Sequence, residues 1–139
     1  MFPRRRRICG DAPPQLGELT VRRYVYALDL LEEPAKMAEY EAWHRADRIS
    51  PAIVASLKRA GLANLEILRT GNRLVLIIDA PDDFSPDSKA ASDARDPDVQ
   101  AWEALMWNYQ RALPWAKPGE KWVLMESIFS LAQLGGNGP

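Results

Sequence analysis

The stretch Asn64 to Ala80, NLEILRTGNRLVLIIDA, decides the fold of this 139-residue chain. Two apolar runs flank Gly71 and Asn72, a pair that accepts the positive φ angles of a tight hairpin turn. The second run, Leu74 to Ile78, is apolar at every position. A strand with one wet face alternates apolar and polar residues. This one does not, so both faces of its sheet need a cover.

Working outward, RYVYALDL (23–30) is rich in aromatic and branched residues and reads as a strand. EEPAKMAEYEAWHRAD (32–47) reads as a helix, with acidic residues in its first turn and Pro34 where proline is tolerated. SPAIVASLKRAG follows as a second helix, capped by Ser50, entered through Pro51 and closed by Gly61. Past the hairpin, residues 81–98 are polar and acidic and suit a mobile loop or lid holding at most one short helix. DPDVQAWEALMWNYQRAL (96–113) reads as a helix with Val99, Trp102, Met106 and Tyr109 on one stripe, and KWVLMESIFSL (121–131) as a last strand. The order β-α-(α)-β-β-α-β is the split βαβ pattern. It defines an α+β, ferredoxin-like four-stranded antiparallel sheet with helices on one face. Trp122 to Met125 are also uniformly apolar. The simplest cover for the second sheet face is the same face of another copy, which makes the expected assembly a homodimer packed sheet to sheet.

Composition is that of a globular protein, 47% hydrophobic and 27% charged, and the net charge of −1 gives no general pull toward nucleic acid or acidic membrane. The basic run Arg4 to Arg7 lies in a proline- and glycine-containing segment without periodicity. Residues 1–21 therefore read as a disordered tail, 22–132 as the folded domain and 133–139 as a flexible end. No apolar stretch follows the arginines as in a signal peptide, and no run approaches a membrane span. Cys9, the only cysteine, falls in the tail; this argues against an intrachain disulfide and for a reducing, cytoplasmic setting. With one histidine and no cysteine in the body, no metal site is expected. Phosphate-loop, dinucleotide and nucleophile-elbow motifs are absent. Arg22, Arg23, Arg69 and Arg73 are scattered and read as solvated rather than as a nucleic-acid surface.

His44, the only histidine, titrates near neutrality and can give or take a proton; the plainer alternative is a hydrogen-bonded helix histidine. Tyr40 stands one helical turn before it and either orients it, binds a polar ligand or fills the core. Trp102 offers a flat apolar face and Glu103 a carboxylate, a combination suited to a sugar, although a tryptophan on such a helix is often core and Glu103 can be plain surface. Trp107, one turn beyond Glu103, is a weaker candidate of the same kind. Trp115, in the loop LPWAKPGEKW, can close over a ligand or serve as a packing anchor.

The segments RYVYALDL, EYEAWHR, SLKRAGLANLEILRTGNRLVLIID and DPDVQAWEALMWNYQRALPWAKPGEKWVLMESIFSL together resemble the L-rhamnose mutarotase family over about residues 22 to 131. The resemblance implies a dimeric α+β barrel that interconverts sugar anomers without cofactor or metal. It implies His44 as proton donor, Tyr40 and Trp102 as sugar contacts, and a monosaccharide as substrate. Glu103 stands where the family has a second tryptophan, Leu65 where it has another sugar-contacting tyrosine, and Ser50 where a tryptophan precedes Pro51. The WEALMW…LPWAKPGEKW version resembles a branch associated with L-fucose at least as readily as with L-rhamnose. The same barrel also carries cofactor-independent monooxygenases and non-catalytic binding modules.

Overall fold

The computed structural model describes residues 21–136. The basic tail with Cys9 and the last three residues lie outside the described residues. Strand β1 (Val21–Leu30) leads into α1 (Pro34–Trp43) and α2 (Pro51–Arg59). The hairpin β2 (Asn64–Thr70) and β3 (Arg73–Pro81) comes next, then α3 (Pro86–Ala94), α4 (Pro97–Trp107), β4 (Gln110–Arg111), β5 (Val123–Leu124) and α5 (Leu131–Gly136). The sheet order is β2-β3-β1-β4, with β5 also on β1, and all pairings are antiparallel. This is the ferredoxin-like α+β topology. The central hairpin turns at Gly71, whose φ of +56° is left-handed and suits a residue without Cβ.

Strand parity separates two sheet faces. Leu28, Leu30, Leu74 and Leu76 face the helices and are buried, and Tyr40, Met106 and Tyr109 close the core from α1, α4 and the residues after it. Truncating a leucine such as Leu74, 1% exposed, to alanine costs about 2–5 kcal/mol. On the opposite face stand Val25, Val75, Ile77 and Val123, half-buried, and Leu68 and Met125, exposed. Two cross-strand ion pairs frame this apolar strip: Arg23 Nε to Asp79 Oδ1 at 2.9 Å, and Arg73 Nε to Asp29 Oδ1 at 2.7 Å. Arg22 pairs with Asp82 and Arg69 with Glu41, so all four arginines that looked merely solvated have acidic partners.

Several element bounds differ from the sequence reading. The first helix spans ten residues and ends at Trp43, and His44 is its C-cap, so the histidine stands at a helix end rather than inside one. The last long helix stops at Trp107, not at 113. Asn108 caps it, its side-chain nitrogen donating to Leu105 O, and Gln110 and Arg111 find backbone partners in β1 instead. Within the acidic segment 81–98 the one short helix that the sequence allows is α3, which Ser85 starts by accepting a hydrogen bond from Ser88 N. The last strand is much shorter than 121–131. Its ladder covers Val123 and Leu124, extended by Met125 N donating to Val25 O at 2.7 Å. Beyond it the chain leaves β1, with Ile128 96% and Phe129 70% exposed. Leu131–Gly136 form the short α5, overlapping the stretch from 133 that reads as a flexible end. Among the described residues, no helix is long and apolar enough to cross a membrane.

Candidate active site

Between the helices and the inner sheet face lies a cavity of about 250 Å³. This is close to the lower end, roughly 300 Å³, of ordinary small-molecule sites. Tyr40, His44, Trp102 and Glu103 all line it, joined by Gln110 and Lys121. Two segments far apart in sequence therefore converge: the end of α1 supplies the phenol and the imidazole, and the middle of α4 supplies the indole and the carboxylate.

The histidine is fixed by its backbone. His44 Nδ1 lies 2.7 Å from the carbonyl oxygen of Tyr40. A carbonyl only accepts, so Nδ1 carries a hydrogen and Nε2 is the nitrogen left for proton exchange. The imidazole also packs tilted against the Tyr40 ring at 4.5 Å and edge-on to Trp102 at 5.4 Å. Burial pushes its pKa below the usual 6.5, opposed by the bond to Tyr40 O. An imidazolium held here is a stronger acid than one in water.

Tyr40 is 3% exposed, and its hydroxyl accepts a hydrogen bond from Gln110 Nε2 at 3.4 Å. Burial first, and the charge of Glu103 as well, push the phenol pKa up to about 12, against the lowering effect of Gln110. The group therefore stays protonated at neutral pH and serves as a hydrogen-bond donor. Trp102 is half-buried and stands edge-on to Trp43, which donates through Nε1 to the Tyr109 hydroxyl at 3.1 Å. The Glu103 carboxylate pairs with the Lys121 ammonium. The rest of the wall combines an aliphatic patch, Ile53, Leu57, Leu65, Ile67 and Ile78, with a polar cluster of Ser56, Lys89 and Asp93.

Trp107 and Trp115 are not among the lining residues. Trp107 is 41% exposed and lies under Lys121, and Trp115 is 62% exposed with the Arg73 guanidinium 5.6 Å from its ring. Gln110 and Lys121 carried no sequence signal. The helical pattern that holds Gln110 in the sequence ends before it in the structure, and Lys121 sits in a loop 18 residues from its partner. The carboxamide oxygen of Gln110 is a buried polar atom without a partner. Among the described residues no cluster of three or more histidine, cysteine or acidic side chains could hold a metal ion.

A ferredoxin-like chain with an imidazole, a phenol, an indole and a carboxylate around one small cavity has the groups needed for proton transfer on a neutral, hydroxylated ligand. Residues 23–131 match the sequence profile of the L-rhamnose mutarotases, and the chain belongs to that family, making it an isomerase of the mutarotase type. It is 50% identical over 115 residues to an L-fucose mutarotase of Xanthomonas campestris pv. campestris, covering 83% of this chain and 92% of that protein. Among solved structures, the L-rhamnose mutarotase of Formosa agariphila superposes with a TM-score of 0.57 at 18% identity, covering 79% of this chain and 98% of the other. Tetracenomycin F2 cyclase of Streptomyces glaucescens superposes with a TM-score of 0.54 at 17% identity, over 78% and 95% of the two chains. At these identities the structural likeness speaks for the fold alone.

Proposed function

We propose that this mutarotase interconverts the α and β anomers of free L-fucose by acid–base ring opening in the cavity between α1 and α4. The observation that carries the reading is the convergence there of Tyr40, His44, Trp102 and Glu103, with His44 Nδ1 held by a main-chain carbonyl. The half identity to an L-fucose mutarotase supports L-fucose over L-rhamnose. The aliphatic patch of Ile53, Leu57, Leu65, Ile67 and Ile78 suits the C6 methyl of a 6-deoxy sugar, which needs no hydrogen-bond partner; a hydroxymethyl group against that patch would lose its bonds to water.

In the proposed reaction the Glu103 carboxylate takes the proton of the anomeric hydroxyl. The imidazolium of His44 gives its Nε2 proton to the ring oxygen, and the C1–O5 bond breaks to leave the aldehyde and a free C5 hydroxyl. The carbonyl rotates about C1–C2. Closure runs the transfers backward on the other face: His44 recovers the proton from the C5 hydroxyl, and Glu103 returns one to the new anomeric oxygen. Protons balance over the cycle, and no cofactor or metal enters. Tyr40 donates a hydrogen bond to a sugar oxygen, and Trp102 stacks on the apolar CH face of the ring. Trp107 and Trp115, both outside the cavity wall, have no part in this scheme.

The active form in this reading is a homodimer in which the apolar strip of one sheet covers that of a second copy. The exposed Ile128 and Phe129 past β5, and Leu131 at the start of α5, add further apolar surface for a partner to cover.

Saturation-difference proton NMR of anomer exchange tests the reaction, with L-fucose and L-rhamnose at equal concentration. Faster transfer between the α and β signals of L-fucose is expected. Faster transfer for L-rhamnose alone would reassign the sugar, and binding without acceleration of either would leave a ligand-binding module.

A further inference from the structure

We propose that Lys121 is a positioning residue of this active site, fixing the Glu103 carboxylate at the cavity wall where it meets the sugar's anomeric hydroxyl. The inference rests on the anomer-exchange reading of the same cavity.

Lysine is among the residues least often buried. Yet the Lys121 side chain is only 11% exposed, the least of any cation in the described ion pairs. A surface ion pair needs no such burial, and withdrawing an ammonium from water is costly unless its hydrogens are matched. Here they are. The ammonium has three N–H donors. One goes to the Glu103 carboxylate, one toward the Glu103 main-chain oxygen at 3.4 Å, and the Trp107 ring face lies 4.6 Å away on the side outside the cavity. Both oxygen contacts are to the same residue. The lysine therefore holds the main-chain oxygen and the carboxylate of Glu103 together.

The direction of this grip matters. Glu103 and Lys121 both line the cavity, and the carboxylate charge is close enough to Tyr40 to raise its pKa. The charged and titratable groups around Glu103 are Tyr40 and His44 from the α1 side and Lys121 from the loop before β5. The Lys89–Asp93 pair of α3 also lines the cavity. Asp93 already partners Lys89 at 2.5 Å, which leaves Lys121 to hold Glu103. Trp107, a poor fit for a sugar contact at its exposed site, gains a role as the backstop of the ammonium.

A residue that acts through another is recognised by what it leaves unchanged. Lys121→Met is expected to lower kcat for L-fucose by about 10- to 100-fold, the scale of a modest misplacement of a reacting group. KM is expected to stay within about 2-fold, because the sugar's stacking and hydroxyl contacts remain. Lys121→Arg, which keeps the charge, is expected to recover most of that loss. The decisive comparison is with Glu103→Gln. If Lys121 works through Glu103, the double variant is no slower than Glu103→Gln by more than about 2-fold. Losses that multiply, a rise in KM at constant kcat, or a Glu103→Gln enzyme with full kcat would each overturn the proposal. Should Lys121→Met fail to fold by circular dichroism, Lys121→Gln puts the same question with a shorter polar group. Wild-type protein that exchanges neither sugar would remove the parent reading and this one together; wild-type exchange with unaffected Lys121 variants would remove this one alone.

Discussion

His44 Nδ1 lies 2.7 Å from the main-chain oxygen of Tyr40, one helical turn back. A single hydrogen bond thus sets the tautomer, the ring orientation and the exchanging nitrogen. The bond comes from the helix end itself: the last carbonyls of a helix lack amide partners, and a C-cap side chain can satisfy one of them. His44→Ala is expected to lower the rate of enzyme-catalysed anomer exchange by about 10²- to 10⁴-fold, the range for a positioned general acid or base. Circular dichroism should show the fold retained, since the ring is only half-buried. Full activity in this variant would take the imidazole out of the chemistry.

The lowered pKa of His44 sends rate and stability in opposite directions with pH. Donation needs the imidazolium, which is present below the folded-state pKa and lost as pH rises through it. That pKa lies below 6.5, so kcat, corrected for the spontaneous reaction, should fall as the pH is raised from about 5.5 to 8. Stability follows the other sign. The unfolded chain binds the proton more readily, so the contribution of His44 is complete above 6.5 and is lost as pH falls toward the folded value. Urea midpoints should drop below pH 6.5 more steeply for wild type than for His44→Asn. A kcat that rises over this pH range instead would remove His44 as the proton donor.

Trp102 is held edge-on between Trp43 and His44 and lines the cavity at the same time. Trp102→Ala is expected to weaken L-fucose binding by about 3- to 10-fold, on the scale of one aromatic contact. Titration followed by NMR line shape measures this. If the affinity is unchanged, the indole belongs to the core and not to the sugar.

What could be read from the chain alone was local. Gly71 and Asn72 fixed the hairpin because a positive φ at a two-residue turn depends on those residues and little else. Tyr40 and His44 line one cavity because their four-residue spacing survives even though the helix ends between them. Helix and strand bounds failed where a distant segment competed: Gln110 and Arg111 leave the helical pattern because β1 offers them ladder partners. Lys121 and Gln110 were invisible for the same reason, since each acquires its meaning from a contact across the fold. Trp115 reads either as closing over a ligand or as a packing anchor, and its ring lies 5.6 Å from the Arg73 guanidinium.

The uniform apolar run from Leu74 to Ile78 asks for two covers, and one protomer supplies one. Leu74 and Leu76 face the helices, while Val75 and Ile77 stand on the bare face between the Arg23–Asp79 and Arg73–Asp29 pairs. In a two-fold interface any substitution appears twice, so Ile77→Lys places two ammonium groups in one apolar layer. Burying them unpaired is unfavourable, and their mutual repulsion adds to the cost. Wild-type protein is expected to sediment at twice the mass of the chain and Ile77→Lys at the mass of one chain. An exposed position on the helical side, such as Glu39→Lys, serves as the control for added charge and should leave the dimer intact. A monomeric wild type would mean that the bare strip is covered by something other than a second copy.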